Sequence, residues 1–469
     1  MSLRRAAGLS SLAAVLVCLP ALRGGFVIDD AYLIVGNLGI RNLGHVLDFF
    51  TRPWGGGEGG AGVVGVNAAY YRPLTSTLYA LEYALFGLRP MGWHAVSILL
   101  HALCAALVVL LAGRLLGGAR AAVIAGLLFA LHPVHSEAIA AACYQTTLLA
   151  GALAMASLWA LFASSAGASV GAPGERARAW RWSLLAALFA AAAGLAKEEA
   201  AAVPLLALAW LALLPRAERR RSQIMTVAGM VLAATLVLLG RRAIVTGSSE
   251  TYFAGTATAV VVMTMLRVGA LYARLLLVPL TLCPFYDWFI IPPSSSLSTD
   301  GIAGAALVVA LLGAVLGLRK RAFGAAVGLA WLVLALAPVM QVVAILNVAA
   351  ERFLYLPSLG FAVAMAALVD WLADRRPRLA LAAAVTLLSL FATRTLLRWP
   401  DWRDDRALNQ STAAAFPESP TPLLNLAQIE EAAGNRAAAL QRLDEAAKRA
   451  PGWSVPLERA AKLRAAPPR

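Results

Sequence analysis

The sequence predicts an all-α polytopic membrane protein of about eleven transmembrane helices that ends in a short helical tail. Three observations carry this expectation. Hydrophobic residues make up 60% of the 469-residue chain and charged residues only 14%, with a mean hydropathy of +0.73, far from the balance of a soluble domain. Apolar stretches of bilayer length recur through residues 1–398, split by short basic segments. After residue 398 the composition turns polar and helix-forming.

A span needs about 20 predominantly apolar residues. Spans are expected at 6–26, 92–113, 120–138, 145–164, 182–196, 199–215, 222–240, 301–318, 323–346, 353–372 and 378–397. The two that flank Lys197 are short and also read as one broken unit. Residues 6–22, preceded by Arg4-Arg5, have the outline of a signal peptide. Leu22-Arg23 before Gly24-Gly25 is no small-x-small cleavage site, so the span is read as retained, running from inside to outside. The net charge of +15 gathers in Arg4-Arg5, Arg114 to Arg120, Arg176 to Arg181, Arg216 to Arg221, Arg319-Lys320-Arg321 and Asp374 to Arg378. Placing these segments on the cytoplasmic side leaves the amino terminus inside and the tail outside, as in a bacterial inner membrane with a periplasmic tail. No basic patch interleaved with aromatics stands outside the spans, so no nucleic-acid partner is expected. Cys18, Cys104, Cys143 and Cys283 have no metal-ligand spacing and read as small apolar side chains.

Residues 24–91 then form a first external loop, with Gly55-Gly56-Gly57 and Gly59-Gly60 as a flexible turn region, and 241–300 form a second. Within the second, 259–281 is apolar enough to span. A crossing there, however, would put Arg319-Lys320-Arg321 outside, and Arg267 and Arg274 share one helical face. The segment is therefore read as lying at the outer interface or partly inserted. The run 73–90, punctuated by Arg72, Glu82 and Arg89, is read the same way.

In the tail, Pro417 and Pro451 lie 34 residues apart, the tetratricopeptide period. Gly434 sits where two antiparallel helices must turn, and Ala427, Ala438, Ala439, Ala446 and Ala447 allow them to pack closely. The plainer alternative is any amphipathic hairpin. Barely more than one repeat is too little to fold alone, so 399–469 must dock on the membrane domain or on another protein.

With this topology every polar cluster falls on the non-cytoplasmic side: Asp29-Asp30, Tyr71-Arg72-Pro73, His132 to Glu137, Lys197-Glu198-Glu199, Tyr286-Asp287-Trp288 and Glu351-Arg352. A simple anchor has no reason to collect acids, histidines and arginines on one face; an enzyme for a charged lipid-linked substrate does. Asp29-Asp30 follows the first span directly. One carboxylate can deprotonate an acceptor hydroxyl while the other orients it, and partial burial suits such a base by raising its pKa. The bland alternative is a pair of solvated boundary acids. His132 and His135 would share a helical face, but Pro133 breaks a helix there and no third ligand is evident. Hydrogen bonds to sugar hydroxyls or phosphate are expected of them instead, with span-capping histidines as the alternative. Lys197 and Glu198 read as a charged pair lining a cavity, since unpaired charges at such depth are costly. Arg72 and Arg352 are the best phosphate ligands, because a guanidinium binds phosphate bidentately and stays charged. Glu351 is expected to hold Arg352 in place. His94 lies near the outer boundary and can join the site.

In chain order, then, stand Asp29-Asp30, Tyr71-Arg72-Pro73-Leu74, Phe86-Gly87-Leu88 with Trp93-His94, the run LFALHPVHSEA from Leu128 to Ala138, Lys197-Glu198, Tyr286-Asp287-Trp288, the run ERFLYLPSLG from Glu351 to Gly360, and the repeat-like tail. This order resembles the transmembrane and tetratricopeptide-repeat-containing O-mannosyltransferases, and their bacterial relatives, of the GT-C glycosyltransferase superfamily. The resemblance runs over nearly the whole chain, and HPVHSEA and ERFLYLPSLG are its most specific segments. It implies a GT-C-like transmembrane glycosyltransferase domain at 1–398 and a tetratricopeptide-like tail at 399–469. It also implies an inverting transfer of a sugar, mannose by the family, from a polyprenyl-phosphate carrier to a hydroxyl on the non-cytoplasmic face. The acceptor would be a protein Ser/Thr or a glycan. The family's catalytic acid in the first external loop maps to Asp29 or Asp30. Two departures stand out. Animal members carry many repeats, and where the family often has Gly-Arg-Ala-Asp after the histidine motif this chain has Tyr144-Gln145-Thr146-Thr147.

Under this reading Arg72, Arg352 and Lys197 hold the donor phosphate. His94, His132, His135, Glu137, Glu198, Tyr286, Asp287 and Glu351 line the substrate site. No metal site is indicated, and no metal or other cofactor is obligatory, because the leaving group is already a phosphate ester. The rival is a non-catalytic scaffold or chaperone that binds periplasmic proteins through residues 399–469. A transporter would need internal symmetry and mid-membrane ionisable residues, and neither is evident.

Overall fold

The computed structural model describes residues 1–54, 70–165, 173–245 and 252–466; the glycine-rich turn at Gly55 to Gly60 lies outside them. Among the described residues the regular structure is helical, with no strand. The helices are α1 Leu3–Cys18, α2 Pro73–Phe86, α3 Pro90–Leu116, α4 Ala119–Leu131, α5 Ser136–Ala140, α6 Gln145–Ser165, α7 Pro173–Ala196, α8 Val203–Leu213, α9 Arg221–Ile244, α10 Thr258–Leu277, α11 Thr299–Leu318, α12 Phe323–Leu336, α13 Pro357–Arg375 and α14 Pro377–Arg398. The tail holds α15 Asp405–Ala415, α16 Thr421–Ala432, α17 Arg436–Arg449 and α18 Val455–Ala465.

Among the described residues nine helices are long and apolar enough to cross a membrane, and the bent unit of α4 and α5 would make ten. The protein is an all-α polytopic membrane protein. Prolines set many of the helix starts: Pro73, Pro90, Pro357 and Pro377 occupy first positions, where a missing N–H costs nothing. The expected span 120–138 bends by 48° around His132-Pro133. The expected span 199–215 shrinks to α8 of 11 residues, after a 3₁₀ turn at Glu198–Ala202.

The segment expected at the outer interface is the 20-residue α10, which has the length and apolarity of a span. Its flanks are tied to the end of the bundle that holds the polar clusters. Tyr252 N donates to Ile345 O at 3.2 Å ahead of it, and near its end Leu276 O accepts from His132 Nε2 at 2.9 Å. Glu82 on α2, expected to punctuate an interfacial face, is instead buried and accepts from Gln145 Nε2 at 2.8 Å.

α1, α3, α4, α6, α12 and α13 form the packed centre, whereas α9, α11 and α14 bury little of themselves and present leucines and valines outward, the surface a bilayer covers. Helix packing in such a centre relies on small residues. Gly360 on α13 meets Gly328 on α12 so closely that a Cβ at 360 would clash with both the Gly328 carbonyl oxygen and the Leu332 nitrogen. Backbone cannot step aside cheaply, so Gly360→Ala is expected to cost about 3 kcal/mol, the upper range for overpacking. A thermal melt in detergent within a degree or two of wild type would contradict this.

In the tail, α15 to α18 each pack on the next around Leu423, Leu426, Leu443, Ala446 and Ala460. Gly434, at φ +78°, makes the turn between α16 and α17. The tail docks on the loop after α10 through three contacts. Phe289 meets Trp453 and Tyr286 meets Phe416, with ring centroids 5.1 and 6.3 Å apart, and Ser419 Oγ donates to Asp287 Oδ2.

Candidate active site

Four chain breaks meet at one end of the bundle: the turn after α1, the junction of α5 and α6, the junction of α7 and α8, and the 3₁₀ turn Glu351–Leu354 before α13. Breaks in helices free backbone groups and point successive side chains in different directions, and this separates the two adjacent aspartates. Asp30 is fully buried. Its Oδ1 accepts from Cys143 N at 2.6 Å, and its Oδ2 accepts from Val27 N at 3.0 Å and Ala142 N at 3.2 Å. Burial pushes its pKa up to about 6 against the pull of these donors. Asp29 is exposed, and among the described residues the Tyr144 hydroxyl approaches its Oδ2, at 3.5 Å. Asp30 therefore ties the turn to the start of α6, whereas the Asp29 carboxylate stays exposed.

Three cations lie beside this turn, each with its own acid. Arg352 pairs with Glu137 through Nη1 and donates its backbone N to the same carboxylate at 2.7 Å; both side chains are almost wholly buried. Its guanidinium lies 4.1 Å over the Tyr144 ring, which links it to Asp29. Arg72 Nε donates to Glu198 at 2.9 Å, and the guanidinium is flanked by Trp54 and Tyr70 at 4.5 and 4.6 Å. Burial alone would raise the Glu198 pKa, but Arg72 holds it below the usual value. Lys197 donates to Glu199 and to Thr147 Oγ1, both at 2.9 Å. Burial lowers its pKa, Glu199 opposes, and the charges of Arg72 and Arg352 add to the lowering. Beside them, Gly194, Ala201, Ala234, Val237 and Leu238 wall an apolar groove that also reaches Tyr71, Glu198 and Arg241.

Other expected ligands have other work. His132, expected to meet sugar or phosphate, has both ring nitrogens spent: Nε2 donates to Leu276 O and Nδ1 accepts from Val134 N at 3.3 Å. His135 is buried among Phe129, His101 and Tyr355 and donates through Nε2 to Ser358 Oγ at 2.8 Å. His94 donates to Gly25 O at 3.2 Å, steadying the turn before Asp29 from within α3. Asp287 caps its own turn, accepting from Phe289 N and Ile290 N at 3.0 Å each, and holds the tail through Ser419. Tyr286 lies under the docked tail against Phe416. Glu137 is the partner of Arg352.

Glu351 is not the partner of Arg352. In a 3₁₀ turn of three residues per turn, neighbours point about 120° apart. Glu351 accordingly turns away and accepts from Cys283 N. Burial, opposed in part by Arg398, raises its pKa to about 8. The folded chain thus keeps a proton that the unfolded chain releases near pH 4.5, and stability falls as pH rises through this window. Asp30 contributes in the same sense only up to about pH 6. Between about pH 6 and 8 the melting temperature of the wild type should therefore fall, and that of Glu351→Gln should fall less; equal slopes would refute the assignment.

Among the described residues no three His, Cys, Asp or Glu side chains are placed to hold a metal ion. The site also contains residues to which the sequence alone assigns no role: Tyr144, Thr147, Glu199, Trp54 and Tyr70. Tyr144 and Thr147 belong to the segment that departs from the family pattern, and that departure was the available signal.

Residues 72–240 match the family model described as dolichyl-phosphate-mannose-protein mannosyltransferase. The protein O-mannosyl-transferase TMTC4 of Homo sapiens is 27% identical over 476 aligned positions, covering 89% of this chain and 63% of the human protein. Protein O-mannosyl-transferase Tmtc1 of Drosophila melanogaster is 38% identical over 139 positions, 29% of this chain and 15% of the fly protein. This chain thus spans less than two thirds of the length of either relative. Among solved structures, the archaeal oligosaccharyltransferase AglB of Archaeoglobus fulgidus aligns with a TM-score of 0.47 at 15% identity, over 87% of this chain and 56% of that one. ArnT of Cupriavidus metallidurans aligns with a TM-score of 0.44 at 15% identity, over 97% and 76%. In sequence, then, the chain is similar to the protein O-mannosyl-transferases over most of its length.

Proposed function

We propose that the chain is a membrane glycosyltransferase that moves a sugar, mannose in the first instance, from a polyprenyl-phosphate carrier to a hydroxyl acceptor on the non-cytoplasmic face, with inversion. The observation that carries this reading is the unit of Asp29, Tyr144 and Arg352, an outward carboxylate and a buried guanidinium sharing one tyrosine. Mannose as the sugar and the Ser/Thr hydroxyl of a protein as the acceptor follow from the names of the relatives.

Asp29 takes the proton of the acceptor hydroxyl as its oxygen attacks the anomeric carbon from the face opposite the phosphate. The bond from that carbon to the phosphate oxygen breaks, and the electron pair leaves with the polyprenyl phosphate. Arg352, Arg72 and Lys197 take up the charge of the departing phosphate, and the acids beside them keep the cluster near neutrality before the donor enters. Asp30 acts through the backbone it holds.

The test is transfer of radiolabelled mannose from polyprenyl-phosphate-mannose to peptide and membrane acceptors by the purified full-length chain. Label in an alkali-labile O-linked product, lost in Asp29→Asn, is expected. No transfer by folded wild type across several polyprenyl-linked sugars and acceptors would sink the reading.

A further inference from the structure

The turn that presents Asp29 is held from two sides, and one of them is the tail. Ile28, immediately before Asp29, has φ of +54°, a left-handed conformation that a β-branched residue avoids. Its amide donates to Asp405 Oδ1 at 2.8 Å, across 377 residues of sequence. The same stretch of tail makes a second bond to this turn, from Gly25 N to Arg403 O at 2.9 Å. An acid in the first turn of a helix is ordinarily explained by the helix dipole or by capping. Capping of α15 falls to Asp404, whose Oδ1 accepts from Ala407 N at 2.8 Å. The dipole gives no reason for the Asp405 carboxylate to sit on the amide of a turn between membrane helices.

We propose that Asp405 is a positioning residue for sugar transfer: it holds Ile28 in the left-handed conformation that aims Asp29 at the acceptor hydroxyl. The first tail helix is then part of the catalytic apparatus, and not an appendage for acceptors. This rests on the transferase reading above. The physical content is a conformational balance. Without an acceptor for its amide, a left-handed isoleucine relaxes to negative φ and carries the Asp29 carboxylate with it. A glycine at 28 has no such preference and keeps the competent turn populated.

The experiment uses the full-length chain in detergent, with polyprenyl-phosphate-mannose as donor. Asp405→Ala should lower kcat about tenfold, the population shift that a strained residue of this kind commands, with the donor KM unchanged. Asp405→Asn, whose amide oxygen still accepts from Ile28 N, should keep most of the rate. Ile28→Gly placed in the Asp405→Ala background should recover most of what was lost, a rescue that a merely structural role of Asp405 in tail folding does not produce. Wild-type kcat in Asp405→Ala, or no rescue by Ile28→Gly, overturns the proposal. Hydrogen exchange over residues 24–30 gives a readout free of chemistry. Exchange should quicken in Asp405→Ala and not in Asp405→Asn; no change in Asp405→Ala overturns the positioning contact. If instead exchange behaves as expected but folded wild type transfers no sugar, the transferase reading fails and the role in transfer falls with it.

Discussion

Asp29→Asn is expected to lower kcat by about 10² to 10⁴, the range that general-base catalysis commands, without loss of folded protein. The carboxylate faces outward and meets only a tyrosine hydroxyl at 3.5 Å, so the amide introduces no buried conflict. Donor binding, carried by the cations, should be little affected, and KM for the carrier should stay near wild type. Asp30→Asn should behave in the opposite way. The native carboxylate accepts from three backbone N–H groups. An amide has one acceptor oxygen, so at least one of these donors faces an NH₂ group. A buried donor left unmet costs about 1 to 3 kcal/mol. The melt of Asp30→Asn should fall accordingly, and its kcat should follow the fraction that remains correctly folded. Steady-state kinetics on monodisperse protein, paired with a melt of each variant, separates the two. A rate retained in Asp29→Asn, together with a fully stable but inactive Asp30→Asn, would exchange the roles assigned to the pair.

The second large effect belongs to the Glu137–Arg352 pair. Both side chains are nearly inaccessible, at 0% and 10% exposure, so neither charge can turn to solvent if its partner goes. Breaking such a pair by removing one member costs about 3 to 5 kcal/mol, because an uncompensated buried charge remains. Glu137→Ala should therefore yield little folded protein. Removing both charges should cost less than removing Glu137 alone: Glu137→Ala with Arg352→Met is expected to recover part of the folded yield while remaining inactive, since the cation beside Tyr144 is gone. Size-exclusion profiles in detergent and thermal melts read the first effect, and label transfer reads the second. Purely additive losses in the double variant would show that the two residues do not act as a pair.

Membrane class and helix placement were largely legible because they depend on local composition: about twenty apolar residues and a basic flank carry their own meaning. The partners of the charged residues were not. Glu351 stands next to Arg352 in sequence, yet a 3₁₀ turn sends the two apart, and the acid that does meet Arg352 lies 215 residues away. The histidines of the HPVHSEA run suit hydrogen bonds to sugar or phosphate, or a role in capping a span, and sequence does not say which. The break at Pro133 folds them inward, where Leu276, Val134 and Ser358 satisfy them. Asp29 and Asp30 were indistinguishable as letters. The positive φ at Ile28 and the amides of Ala142 and Cys143 tell them apart, and neither leaves a trace in local sequence. Tyr286-Asp287 serves as a landing for the tail through Phe416 and Ser419, partners far away in sequence.

The bond between Ile28 and Asp405 has a consequence for the order in which the protein comes into being. The turn bearing Asp29 leaves the ribosome 377 residues ahead of the carboxylate that fixes it. At about 5 to 20 residues per second, the nascent chain spends on the order of 20 to 75 seconds with this turn formed but unsecured. During that interval the membrane helices can insert and pack, yet Ile28 has nothing to hold it in its strained state. The closing of this long ring is therefore a late event in biogenesis, and a ribosome that stalls before the tail emerges leaves behind an inserted bundle whose acid is unaimed.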